Sequence, residues 1–200
     1  GRVLPDNTII VFASDHGEML GDHQWLRKRN PFEPSAHVPL LMKFPESMGL
    51  PQEQVLDHPV ELMDIMPTLL DAAGASIPDT VDGQSVLPII RDPESTWRDY
   101  VHGECANVPS SNSGMQYLTN GKLKYIWLPG QDRELFFDLE NDPNEMTDLS
   151  AHPNWADEIT QWRQRLIQEL TDRPEGFTDG QTLIKQDGPT TGTLPVWENV

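Results

Sequence analysis

The chain has 200 residues, 36% of them hydrophobic and six of them Trp, enough apolar content for one good core or two small ones. Its 14 Lys and Arg stand against 32 Asp and Glu, and the formal charge of −18 repels a phosphate backbone, which argues against a nucleic-acid partner. Its single cysteine, Cys105, excludes an intrachain disulfide framework and a Cys-rich zinc site. No run approaches the roughly 18 apolar residues of a membrane span and residues 1–12 lack signal-peptide order, so a soluble domain is expected.

In chain order, residues 7–13 (NTIIVFA) form a short, nearly continuous β-branched and aromatic run, the pattern of a strand buried on both faces of a parallel sheet. Residues 38–44 predict the neighbouring strand, with Pro39 near its start, where a missing N–H is tolerated. A helix is expected over 64–73 (DIMPTLLDAA), with Ile65, Met66, Leu69, Leu70 and Ala73 on one face, Pro67 in the first turn and Gly74 at the C-terminus.

Beyond Asp82-Gly83 the texture changes to short strands over 100–104, 115–119, 123–128 and 134–139, with Asn120-Gly121 as a two-residue hairpin signal. Residues 155–170 place Trp155, Ile159, Trp162, Leu166 and Leu170 at spacings of three and four, an amphipathic helix suited to covering one face of that sheet. The fold class expected is α/β: the C-terminal part of a mainly parallel core over 1–95, then a small antiparallel sheet with a helix over 96–173. An irregular tail over 174–200 completes the reading, where proline, glycine and polar residues crowd and periodicity fades.

The chemistry concentrates at the end of the first strand. Ser14-Asp15-His16-Gly17-Glu18-Met19-Leu20-Gly21-Asp22-His23 packs two His and three carboxylates into ten positions, and in open α/β sheets ligands bind beyond the carboxyl ends of strands. Adjacent carboxylate and imidazole donors on a turn suit a divalent cation, and Gly17 and Gly21 supply backbone freedom. The same residues also allow Asp15 to cap a following helix and His16 to satisfy a buried carbonyl. Positive charge then appears at Arg27, Lys28 and Arg29 inside an acidic chain. Lys28 suits a sulfate or phosphate oxygen as a point charge, with the two arginines as solvated flanks, or it is simply a surface lysine.

The 14–23 segment, the Lys28-x-x-x-Phe32-Glu33 step and Ser35-Ala36-His37-Val38-Pro39 resemble the second signature block of the sulfatases, in the arylsulfatase, choline-sulfatase and phosphonate monoester hydrolase branch. Residues 64–74 (DIMPTLLDAAG) and 137–145 (FDLENDPNE) are similar to motifs that recur there in this order. The resemblance runs from about residue 7 to about residue 150. It implies hydrolysis of a small-molecule sulfate ester. Asp15 and His16 would ligate a divalent cation, Ca2+ foremost with Mn2+ or Mg2+ as variants. Asp15 would also act as general base and Lys28 would hold a sulfate oxygen or stabilise the leaving oxygen. His23 and His37 receive no role from it.

The family's nucleophile is a formylglycine made within a Cys/Ser-x-Pro-x-Arg motif. This sequence contains no such motif, since Cys105 is followed by Ala106, Asn107 and Val108. An interior strand close to Gly1 and half a catalytic constellation are together expected of a C-terminal half that needs the N-terminal half of the domain and is inactive alone. Alternatives are a phosphate or phosphonate ester hydrolase on the same scaffold, and a non-catalytic remnant serving as a binding module. The acids at 138, 140 and 142 also suggest a calcium loop, but Pro143 stands where an EF-hand loop needs Gly, and a strand followed by an Asp-Pro turn is the preferred reading.

Overall fold

The computed structural model describes residues 6–105 and 114–186. The neighbours of Cys105 at 106–108 and the last part of the expected tail lie outside the described residues. The chain resolves into two compact units: one built from residues up to Gly17 with His37–Val101, the other from Glu18–Ala36 with the chain from His102 onward.

In the first unit, β1 (Ile10–Ala13) pairs with β2 (Leu40–Lys43) in an antiparallel register that sets Ile10 opposite Lys43 and Ala13 opposite Leu40. The expectation of a mainly parallel core is therefore corrected. The strand pairs the described residues contain form two antiparallel sheets, of two and four strands. The apolar run at 7–13 invited the parallel reading because two-sided burial and continuous hydrophobicity go together. Here β1 alternates between exposed and half-buried positions instead, and Phe12 is 61% exposed. Phe44, Leu50 and Leu87 form the buried cluster of this unit, with Ile9, Met42, Met48, Ala72 and Ile90 packed against it.

The one-turn helix α1 (Glu33–Ala36) belongs to the second unit; in the first, helix α2 (Ile65–Ala72) follows a 3-10 turn at Leu62–Asp64 and carries Pro67 in its first turn, where the missing N–H costs nothing. What holds it is a polar stripe more than the expected apolar face. Asp64 accepts the Glu61 N–H (2.8 Å) and the Gln84 N–H (2.8 Å), the Thr68 hydroxyl accepts the Val86 N–H (3.0 Å), and Ser85 donates to Asp71 (2.6 Å). Positions 64, 68 and 71 share one face of a helix, so this stripe stitches α2 to the segment 84–86. That segment leads into α3 (Leu87–Arg91), whose Leu87 and Ile89 are buried. Arg98 joins the stripe, donating to Glu61 and to the fully buried Asp64, each at 2.7 Å. Gly83 passes so close to the turn that a Cβ there would meet the Met63 carbonyl oxygen at 2.2 Å. Met66 and Leu69, two members of the expected apolar face, are 47% and 40% exposed.

The second unit is a four-stranded antiparallel sheet in sequential order: β3 (Val101–Cys105), β4 (Met115–Thr119), β5 (Leu123–Leu128) and β6 (Arg133–Asp138). The Asn120-Gly121 signal does mark a tight turn, shifted by one residue. The Asn120 N–H reaches the Leu123 carbonyl (3.3 Å), leaving Gly121 and Lys122 as the central pair, and Gly121 takes the positive φ of 82°. Asn120 Oδ1 accepts the N–H groups of Lys122 and Leu123 and fixes the corner.

Helix α4 (Ala156–Leu170) packs on β4 and β5 and buries Ile159, Trp162, Leu166 and Leu170 of the predicted face together with Ile167, while Trp155 precedes the helix and is half-buried. Each such side chain contributes about 1.5–3 kcal/mol of burial free energy. Arg163 clamps α4 to β6 through Glu134, at 2.6 Å from Nε and 2.5 Å from Nη2. Residues of β5 alternate between two covered faces. Tyr125 and Trp127 lie on one, where the Phe177 ring stands edge-on to Trp127 at 5.9 Å; Lys124 and Ile126 lie on the other. That other face holds Ile126, Leu135, Phe137 and Leu139, and Phe32 packs against them.

Candidate active site

Directly beyond β1 the chain turns through Ser14, Asp15, His16 and Gly17. The Ser14 hydroxyl donates to the His16 carbonyl (2.7 Å), and Asp15 Oδ1 accepts the His16 N–H (3.1 Å), which closes the turn on itself. His16 Nδ1 lies 2.7 Å from the Gly17 carbonyl oxygen. A carbonyl only accepts, so Nδ1 carries a proton, and in the neutral ring Nε2 presents its lone pair. That is the tautomer a metal-binding imidazole needs, fixed by a hydrogen bond of the kind that commonly orients such ligands. Nε2 in turn lies 3.5 Å from Asp15 Oδ2, and the Asp15 side chain is 84% exposed. Two acceptor atoms this close, one on a carboxylate and one on an imidazole, can touch one cation at ordinary metal–ligand lengths of about 2.0–2.6 Å.

The donor set fits a divalent cation in kind but not in number. Among the described residues no group of three or more His, Cys, Asp or Glu side chains is placed to hold a metal ion. Asp15 and His16 present two donor side chains side by side.

Lys28 belongs to the second unit and stands exposed in a loop with unusual backbone. The Met19 N–H donates to the Arg27 carbonyl (3.0 Å) and the Gly21 N–H to the Trp25 carbonyl (2.9 Å), folding the segment back on itself. Leu20, His23, Gln24, Arg27 and Arg29 all take positive φ, so Lys28 sits between two left-handed arginines. Residues of this kind cost about 1–3 kcal/mol each in that region and persist only where surrounding structure imposes them. His23 lies flat on Phe32, ring centroids 4.0 Å apart and planes within 6°, so its ring is a packing element of this loop. Glu18 and Asp22 remain exposed. In the 138–145 segment, Asp138 accepts the Asn141 N–H and Nδ2–H, and Asp142 accepts the Thr147 N–H, as an Asp-Pro turn requires.

The comparison with known proteins agrees with the motifs. The family described as N-sulphoglucosamine sulphohydrolase, C-terminal, matches residues 21–172. The chain belongs to the sulfatase family. An arylsulfatase of Clostridium perfringens (strain 13 / Type A) is 45% identical over 181 residues, covering 90% of this chain and 37% of that protein. Among solved structures, the phosphonate monoester hydrolase of Agrobacterium radiobacter is 30% identical with a TM-score of 0.68, over 82% of this chain and 35% of that one. The structure of BT4656 in complex with its substrate D-glucosamine-2-N,6-O-disulfate is 25% identical with a TM-score of 0.69, over 83% of this chain and 34% of that one. The chain thus spans about a third of the length of the relatives it matches, and it corresponds to the C-terminal part of a sulfatase-type hydrolase. No helix among the described residues is long and apolar enough to cross a membrane.

Three residues of the second unit escaped the sequence reading as a group: Glu33, Lys124 and Glu145. Lys124 is fully buried, and its ammonium reaches Glu33 Oε1 (2.6 Å), Glu145 Oε1 (2.8 Å) and the Pro31 carbonyl (2.8 Å). The signal was a lysine at a strand position in phase with apolar Ile126 and Leu128, where a solvated charge does not belong.

Proposed function

We propose that the whole polypeptide carrying this chain hydrolyses sulfuric esters, with the chain contributing half of the catalytic site. The observation that supports this most is the turn beyond β1, where His16 Nδ1 is engaged by the Gly17 carbonyl and its Nε2 lies 3.5 Å from the Asp15 carboxylate. Asp15 and His16 would hold a divalent cation, Ca2+ first and Mn2+ or Mg2+ as variants, completed by donors from outside this chain. When bound, such a cation withdraws charge from the oxygens it touches and acidifies a neighbouring hydroxyl.

The chain's own residues then divide the work. Asp15 accepts the proton of the attacking hydroxyl, a task for which an exposed carboxylate at a strand end is accessible. His16, its Nδ1–H held by the Gly17 carbonyl, would offer Nε2 of the neutral ring to the cation. Lys28 supplies a positive charge to a non-bridging sulfate oxygen or to the leaving oxygen; that role needs charge and reach more than a fixed fork of donors. The nucleophile, a formylglycine, belongs to residues outside this chain.

A phosphate or phosphonate ester hydrolase is the second reading, favoured by the 30% identity to the Agrobacterium radiobacter phosphonate monoester hydrolase. A panel of an aryl sulfate, a glucosamine sulfate, a phosphonate monoester and a phosphate diester, offered to the whole polypeptide, separates them. Sulfate esters are expected to turn over best, and Lys28→Ala to lower kcat/KM for them by about 100-fold or more. Preference for the phosphonate overturns the sulfate reading in favour of the second. Turnover unchanged in Lys28→Ala removes Lys28 from the site.

A further inference from the structure

Lys124 is a fully buried cation that the proposed chemistry does not use. Its three N–H donors are all engaged, with Glu33 at 2.6 Å, Glu145 at 2.8 Å and the Pro31 carbonyl at 2.8 Å. Glu145, itself 2% exposed, spends its second oxygen on the Glu33 N–H at 2.7 Å. Three stretches far apart in sequence thus meet at one ammonium: the loop after Lys28, strand β5, and the turn after the Asp-Pro pair.

A buried ion cluster of this kind is a poor device for stability, because desolvating the charges costs about what their attraction returns, and apolar replacements are often as stable. Burial pushes the Glu145 carboxyl above its ordinary range despite the adjacent Lys124, which shows desolvation outweighing attraction at this site. What such a cluster does supply is register. Here it fixes Pro31 and Glu33 on the face of the sheet, with Phe32 between them packed at 6.0 Å against Phe137 and stacked on His23 at 4.0 Å. Lys28 lies between His23 and Phe32, in the loop that this stack closes. Its neighbours Arg27 and Arg29 hold left-handed φ values of 70° and 82°, which relax unless the ends of the loop are held.

We infer that the buried Lys124–Glu33–Glu145 cluster is a positioning device for Lys28, setting the anion-holding loop at a fixed height on the antiparallel sheet. This rests on the reading of Lys28 as the anion holder. The reading also gives the Phe32-Glu33 step and Glu145 a shared task that their separate sequence motifs do not reveal.

The test uses the whole polypeptide, inorganic sulfate as a competitive inhibitor of aryl sulfate turnover, and the inhibition constant as the readout. Glu33→Gln keeps the Lys124–Glu145 pair intact and the fold with it. Lys124→Met/Glu145→Gln removes both fully buried charges while the new amide oxygen still accepts the Glu33 N–H. Each is expected to weaken sulfate binding about 10-fold or more while the melting temperature confirms a folded protein. Adding either change to Lys28→Ala is expected to weaken sulfate binding no further than Lys28→Ala alone, a non-additivity that a general loss of stability does not produce. If Lys28→Ala weakens sulfate binding but folded Glu33→Gln binds it as the parent does, the positioning role is refuted and the Lys28 reading stands. If Lys28→Ala alone leaves sulfate binding unchanged, the reading beneath it fails and the inference with it. Should the double variant not fold, Glu33→Gln still decides.

Discussion

Replacing Arg98 with alanine tests the account of the first unit most sharply. Asp64 is fully buried, and Arg98 supplies the cation that compensates it, 2.7 Å away, while also holding Glu61 at 2.7 Å. Without Arg98 the Asp64 carboxylate keeps two backbone donors but loses its counter-ion, and breaking a buried pair from one side costs about 3–5 kcal/mol. At a urea slope of about 2 kcal/mol per molar, the midpoint falls by roughly 1.5–2.5 M. At about 2–4 °C per kcal/mol for a chain of this size, melting falls by roughly 6–20 °C. Urea unfolding followed by tryptophan fluorescence measures it, since Trp97 lies under the Arg98 guanidinium at 4.9 Å and donates to the Pro59 carbonyl at 2.8 Å. Arg98→Lys keeps a cation but not the fork to two carboxylates, so it is expected to fall between parent and alanine. An alanine variant within about 1 kcal/mol of the parent refutes the reasoning, because surface pairs are worth no more than that.

Gly83→Ala sets a Cβ against the Met63 carbonyl and forces backbone apart, so it is expected to destabilise by about 1–3 kcal/mol with no change in the second unit; a neutral variant by calorimetry contradicts that contact. Burial alone raises the Glu134 carboxyl, but the Arg163 hydrogen bonds, the neighbouring Tyr125 hydroxyl and the Arg163 charge together outweigh it and hold the carboxyl below its ordinary 4.5. With a depressed folded value, the unfolded chain binds the proton first as acid is added. The pair's stabilisation is therefore present above about pH 4.5 and lost as the pH falls through the folded value. Glu134→Gln is expected to flatten the stability profile in that acid window, and an unchanged slope in acid-titrated unfolding argues against the clamp.

The sheet strands and the helix of the second unit were largely legible in the sequence because their patterns carry their own period. The 155–170 spacing of three and four yields a helix whose Ile159, Trp162, Leu166 and Leu170 are all buried, and the four short runs beyond Asp82-Gly83 all become strands. The first unit was less so. A continuous apolar run does not encode the direction of its partner, and β1 pairs antiparallel with β2 where a parallel sheet was expected. The polar stripe at Asp64, Thr68 and Asp71 was invisible because polar residues at helical spacing read as a solvated face until the 84–86 segment is laid along them. At the candidate site, the density of carboxylate and imidazole side chains marks Asp15 and His16 as candidates. The tautomer is a matter of geometry, set by one carbonyl that no residue pattern announces. Lys124 was missed because a lysine in a strand is ordinarily a surface residue, and only the fold brings Glu33 and Glu145 to it from either side.

The proposed role of Asp15 and His16 as half of a metal site is tested by the metal content of the whole polypeptide. The whole polypeptide, purified with Ca2+ present and analysed by mass spectrometry of the metal, is expected to retain a stoichiometric divalent cation. Asp15→Ala should lose both cation and turnover, whereas Lys28→Ala should lose turnover and keep the cation. An Asp15→Ala protein that holds its metal and turns over as the parent does contradicts the account.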